Sequence, residues 1–122
     1  MTQDEFETVL SSLASQYTDA CADEVAAMEA EVKAERHATG FRVRLLSDAY
    51  AIGVISGKNA EQRDLQSAQY LLDATEYQVD CVTADSAQIS RKAAMMRRVG
   101  VENEWKMWRA WLAGQGGSNG DY

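Results

Sequence analysis

Proline does not occur in this 122-residue chain, and histidine occurs once, at His37. Without proline, no position forbids a helix on backbone grounds. With a single imidazole, no Ser-His-Asp or Cys-His relay has a spare base. The Glu35-Arg36-His37 spacing is also not the Glu-x-x-His pattern of di-iron bundles. No catalytic, cofactor-binding or metal-ligating residues are expected, and the chain is not expected to be an enzyme. Cysteine is limited to Cys21 and Cys81, and two free thiols suit a reducing cytoplasm. No run of about 18 apolar residues exists to span a membrane. The acidic start Met1-Thr2-Gln3-Asp4-Glu5 lacks the basic and apolar regions of a secretion signal, so a cytoplasmic protein is expected. Gly53-Val54-Ile55-Ser56-Gly57-Lys58-Asn59 sets its glycines closer than the G-x-x-x-x-G-K-[ST] loop requires and ends on Asn. Nucleotide binding is therefore not expected.

What the chain does have is alanine, periodicity and patterned charge. Alanine favours helices and fills little volume, which suits thin helices better than a broad core. Thr2-Gln3-Asp4-Glu5 has the spacing of a capping box. Beyond it, Phe6, Tyr17, Met28, Thr39 and Tyr50 form one row at eleven-residue spacing. Leu10, Cys21, Val32, Val43 and Val54 form its neighbour. Such a repeat keeps one face of a nearly straight helix buried, which predicts a helix over about 3–55. Ser56-Gly57-Lys58 reads as the turn, with Gly57 as the left-handed terminator and Asn59 as the next cap. From Leu65 the steps alternate three and four through Ala68, Leu72, Thr75, Val79, Val82, Ser86, Ile89, Ala93, Met96, Gly100, Asn103, Met107 and Ala110. That is a heptad seam, and it predicts a second helix over about 59–113. The glycine-rich residues 114–122 read as a disordered tail.

The fold class is therefore all-α, a single domain over residues 1–113 built as a long antiparallel helical hairpin of the coiled-coil type. The alternative is a bend at Gly40 that folds the chain into a three-helix bundle. Charge supports the antiparallel pairing. The net charge is −7, and it alternates in blocks: acids dominate 1–35, bases 36–58, acids 59–90 and bases 91–109. Folding back near Gly57 sets the acids of 4–24 against the bases of 91–109. It also sets Arg42 and Arg44 against Asp73 and Glu76. Each exposed pair contributes little, but the pattern disfavours a parallel or shifted arrangement. A two-helix hairpin buries little per residue, so a further helix from a second copy or a partner is expected, and with it a homo-oligomer.

With the heptad seam facing inward, Tyr70, Tyr77 and Trp105 occupy the outermost position and Trp108 lies beside it. Val101, Trp105, Trp108 and Leu112 form a stripe of their own. Two roles are open for these residues. One is a docking surface, with Trp105, Trp108, Trp111, Val101, Leu112, Tyr70 and Tyr77 as partner-binding residues. Alternatively, Trp105, Trp108 and Trp111 clamp Phe6, Leu10 and Leu13 at the open end of the hairpin. The acids Asp19, Asp23, Glu24 and Glu31 offer a different surface, a face that mimics nucleic acid. Net negative charge makes direct nucleic-acid binding itself unexpected.

The segment Ile55-Ser56-Gly57-Lys58-Asn59-Ala60-Glu61-Gln62-Arg63, ahead of a long heptad helix, resembles small helical-hairpin accessory proteins of temperate bacteriophages and integrated elements. The likeness covers residues 41–113 and centres on a G-K-N-A-E-x-R turn. It implies no catalytic residues, and it implies a factor acting near phage DNA-processing genes. The expected function is a non-catalytic interaction protein that binds a protein of nucleic-acid processing, either recombination machinery or a host defence nuclease. An acidic DNA mimic of the anti-CRISPR-like kind and a homo-oligomeric structural coiled coil are the alternatives.

Overall fold

A computed structural model describes the backbone of residues 1–118 and the side chains of residues 1–114. Three helices follow one another: α1 (Gln3–Ala51), α2 (Ala60–Asp73) and α3 (Thr75–Ser118). No strand occurs among the described residues, so the chain is all-α. It divides into two compact units: Met1–Met28 with the residues from Ser90 onward, and Glu29–Ile89. Within each unit, a part of α1 runs antiparallel to the returning chain.

The start of α1 is fixed by its sequence. Glu5 N–H donates to Thr2 Oγ1 and Thr2 N–H donates to Glu5 Oε2, both at 3.1 Å. This reciprocal box satisfies donors that a helix end leaves open. The helix then continues unbroken through Gly40, so the bend that would make a three-helix bundle does not form. It stops at Ala51 rather than near 55, and Gly53, not Gly57, supplies the left-handed residue, with φ of 84°. Val54 N–H reaches back to Ala49 O at 3.0 Å and Gly53 N–H to Tyr50 O at 3.2 Å. This double bond pattern is a Schellman end, and it uses the carbonyls that the last turn leaves unpaired.

Residues 52–59 make the connection, anchored by Ile55, which is buried. Gln66 Oε1 accepts from Ser56 N–H and Gly57 N–H at 2.9 and 2.8 Å. Asn59 caps α2 through Gln62 N–H, as its sequence position indicated, while Gln62 Oε1 accepts from Lys58 N–H. Gly57 serves close approach rather than a left-handed turn, because a Cβ there would stand 2.6 Å from Gln62 Cβ.

The second helix is interrupted where one continuous helix was expected. At Ala74 the backbone turns extended (φ −82°, ψ 92°), and its N–H bonds to Leu71 O. Gln78 Nε2 donates to the same carbonyl at 2.8 Å. Leu71 O is the acceptor that an unbroken helix would offer to Thr75 N–H. A backbone and a side-chain donor replace that bond, so the break leaves the carbonyl satisfied. At the far end, α3 passes Ala113, the expected stop, and reaches Ser118. Glycines weaken a helix without forbidding it. Residues 119–122 of the expected tail lie outside the described residues.

The largest departure concerns which faces touch. In the unit of Met1–Met28 and the C-terminal part of α3, Phe6, Leu13 and Ala20 are buried at seven-residue spacing, and Ala94 is buried opposite. In the unit of Glu29–Ile89, the buried positions are Ala38, Ala49 and Ile55. The eleven-residue rows do not stay inside: Met28, Val32, Thr39, Val43, Tyr50 and Val54 are exposed. A seven-residue spacing drifts one way around a straight helix and follows a left-handed pairing, whereas an eleven-residue spacing drifts the other way, so the two rows part along the helix. The heptad seam of α2 and α3 is also displaced. Every one of its positions from Leu65 to Ala110 is exposed, while Tyr70, Tyr77, Ala84, Ala87, Ala94 and Trp108 lie on the packed side.

Three glycines give opposite outcomes on substitution by alanine, measured as melting temperature by circular dichroism. Gly40→Ala sits inside α1 with open space around it, and should stabilise by about 1 kcal/mol, roughly 4 °C. Gly53→Ala meets a left-handed backbone and should cost about 1–2 kcal/mol. Gly57→Ala drives a methyl group into Gln62 and should cost about 1–3 kcal/mol.

Candidate interaction surfaces

The unit formed by Met1–Met28 and the C-terminal part of α3 carries an aromatic cluster and a polar clasp. Phe6 is buried between two indoles. Its ring centroid stands 6.2 Å from Trp108 at 64° and 5.5 Å from Trp111 at 35°. Trp108 and Trp111 meet edge to face at 5.7 Å. Such geometry matches the ring quadrupoles and adds roughly 0.5–1.5 kcal/mol per pair beyond burial. Trp108 and Trp111 thus act within the chain. The Trp108 indole N–H is buried and finds no acceptor among the described residues.

Trp105 and Val101 take a different place. With Leu13, Tyr17, Lys106 and Arg109 they line an apolar groove of about 400 Å³. Trp105 and Leu112 are exposed, and Val101 is half-buried. Tyr70 and Tyr77 belong to the other unit and are half-buried there. Hydrogen bonding with Cys81, with burial second, raises the Tyr77 phenol above its ordinary value.

At the edge of the groove, which Tyr17 and Glu102 help to line, charges close on one another. Arg98 Nε donates to Glu24, and Arg98 Nη1 donates to Glu102 Oε1 at 2.6 Å. Tyr17 OH donates to the same Glu102 oxygen at 3.1 Å. Arg97 pairs with Asp23 at 3.6 Å. Arg98 holds the Glu102 carboxyl below its ordinary value, with a smaller contribution in the same direction from the Tyr17 hydroxyl. Bonds to Glu24 and Glu102 in turn raise the Arg98 guanidinium. Tyr17 is raised as well, first through Cys21 and then through Glu102. The Arg98–Glu102 pair stands at i,i+4 and was readable in the sequence. Its bridging to Glu24 and Tyr17 depends on the pairing register.

These ion pairs engage two of the four acids expected as an acidic face at Asp19, Asp23, Glu24 and Glu31. Asp23 and Glu24 are ion-paired, Glu31 is half-buried with interactions of its own, and Asp19 lies on the exposed side. In the unit of Glu29–Ile89, His37 Nε2 meets Asp80 at 3.1 Å, beside a shallow groove with Phe41, Arg44 and Val79. The Arg44 guanidinium stands 5.7 Å from the centre of the Phe41 ring.

The remaining surface is the outward seam of α3. Val79, Val82, Ile89 and Met96 are 59, 63, 68 and 70% exposed. These are the side chains that ordinarily fill a core. Sequence periodicity found the stripe but assigned it to the inside.

No family model, no curated protein and no solved structure matches this chain. Among the described residues, no helix is long and apolar enough to cross a membrane.

Two measurements probe the cluster and the clasp. Trp108→Phe keeps the ring contact and removes the unpaired N–H, so the melting temperature should hold or rise. Trp108→Ala should lower it by ~8 °C, corresponding to about 2 kcal/mol. Glu102 has a depressed folded pKa, so its contribution is present above its unfolded value and lost as pH falls through the folded one. Melting temperature should therefore decline with acidification below about pH 4.5, and Glu102→Gln should flatten that decline.

Proposed function

We propose that this protein is a non-catalytic interaction module that works by burying its outward α3 seam against another protein. The observation that carries the reading is the inversion of side-chain size. Among the described residues, four of the seven buried apolar positions are alanine, beside Phe6, Leu13 and Ile55, while Val79, Val82, Ile89 and Met96 line the solvent side of α3. A periodic apolar stripe on a helix is the pattern that helix-in-groove and coiled-coil recognition use. The turn at Gly57–Arg63 resembles phage accessory proteins, so a protein of nucleic-acid processing is the partner class to test first. The acidic-mimic alternative is weakened by the pairing of Asp23 and Glu24 with Arg97 and Arg98.

The test compares capture of candidate recombination proteins and defence nucleases by the intact chain and by Val82→Asp/Ile89→Asp. The double variant should keep its helicity and lose binding by ~30-fold or more for each buried anchor removed. Binding that survives in the double variant but falls steeply with salt and with Asp19→Asn would overturn the seam reading in favour of the acidic face.

A further inference from the structure

The α3 seam is ordered in a way that selects its occupant. Number the heptad so that Val79, Ser86, Ala93 and Gly100 take the first core position, and Thr75, Val82, Ile89 and Met96 the fourth. All eight are exposed, and all lie on one helix, so the continuity of the stripe is that of α3 itself. When two such helices run antiparallel, each first position layers against a fourth position. The register that sets Ser86 against Ile89 of a second copy also sets Ala93 against Val82, Gly100 against Thr75 and Val79 against Met96. Three of those layers oppose a small side chain to a larger one, which fills the space between helices without voids.

The flanks agree with that register. It places Asp85 beside Lys92 of the second copy and Glu76 beside Arg97, each twice by symmetry. The other flanking pairs along this stretch are Gln78 with Val99 and Thr83 with Ser90, so no like charges meet. Arg97 lies mostly exposed while touching Asp23 at 3.6 Å, and a guanidinium has donors enough for a second carboxylate. A parallel pairing does the opposite. It brings Lys92 against Arg97 and stacks Ser86 on Ser86 and Gly100 on Gly100. A specific interface needs on the order of 1,000 Å² in total. Val79, Val82, Ile89 and Met96 from each copy, each more than half exposed, reach that order with the stems of the flanking charges.

We infer that a second copy of this chain docks antiparallel along α3, centred between Ala87 and Gln88, with Ser86 facing Ile89 and Asp85 facing Lys92. This rests on the proposed use of the α3 seam: the second copy covers the seam in the free protein, and a foreign partner takes its place.

The experiment is sedimentation equilibrium of the full chain and four variants, with circular dichroism on each. The wild type should dimerise at micromolar concentration. Ile89→Asp should weaken self-association ~100-fold with helicity kept. Lys92→Glu should weaken it about tenfold, because two symmetric attractions become repulsions. Asp85→Lys should do the same, and Asp85→Lys/Lys92→Glu should return within ~3-fold of wild type. Tighter association of Lys92→Glu would mean parallel pairing and would overturn the inference. So would a dimer indifferent to Ile89→Asp, or a wild type monomeric at ~100 µM. In the monomeric case the seam reading stands separately, and seam-dependent capture of a foreign protein decides it.

Discussion

Alanine-lined contacts within each unit are the constraint on which the other features depend. Ala20 and Ala94 in one unit, and Ala38 and Ala49 in the other, are buried where larger side chains would hold helices farther apart. Alanine adds no rotamer entropy cost and lets backbones approach closely. It also removes little apolar area from water, so such contacts contribute modestly per residue. Each unit must then be held by something further. One has the buried turn residue Ile55 and the glutamine-anchored connection. The other has buried Leu13, and Phe6 between Trp108 and Trp111.

The same constraint explains the clasp of Glu24, Arg98, Glu102 and Tyr17. Charged residues sit on the packed side because thin contacts leave it partly wet. Arg98 and Glu24 are only partly buried, so their desolvation is limited. A charge pair of this kind sets register more than it adds stability. It locks Glu24 to Arg98 and Tyr17 to Glu102, and so fixes which turn of α1 opposes which turn of α3 in that unit.

Placing alanine inside also leaves valine, isoleucine and methionine outside, and that joins the fold to the proposed function. A helix with an apolar stripe toward solvent is incomplete as a solitary object. The stripe on α3 has heptad spacing, alternating side-chain volume and flanking charges of opposite sign in its two halves. An antiparallel partner helix of the same sequence satisfies all three. The Trp105 groove is a separate surface, lined by Lys106 and Arg109 beside apolar walls.

Local chemistry legible in the sequence set the helical class, the Thr2–Glu5 box, the Asn59 cap, the free cysteines and the facing of acids near Asp23 with bases near Arg97. These follow from backbone bonding within a few residues, or from Coulomb pairing that tolerates a shift of a turn. The sequence also contained both stripes of α3, because helical periodicity is local. Only the tertiary structure decided which stripe faces inward. Reading by hydrophobicity ranks valine and isoleucine above alanine, yet close helix contact rewards small volume. The tertiary structure likewise chose Gly53 over Gly57 as the helix terminator: two glycines four residues apart offered the same freedom, and Gly57 is taken up by close approach to Gln62. The break at Ala74 has no glycine or proline to announce it. Gln78, one turn on, and Ala74 N–H both donate to the Leu71 carbonyl, so the lost helix bond is replaced.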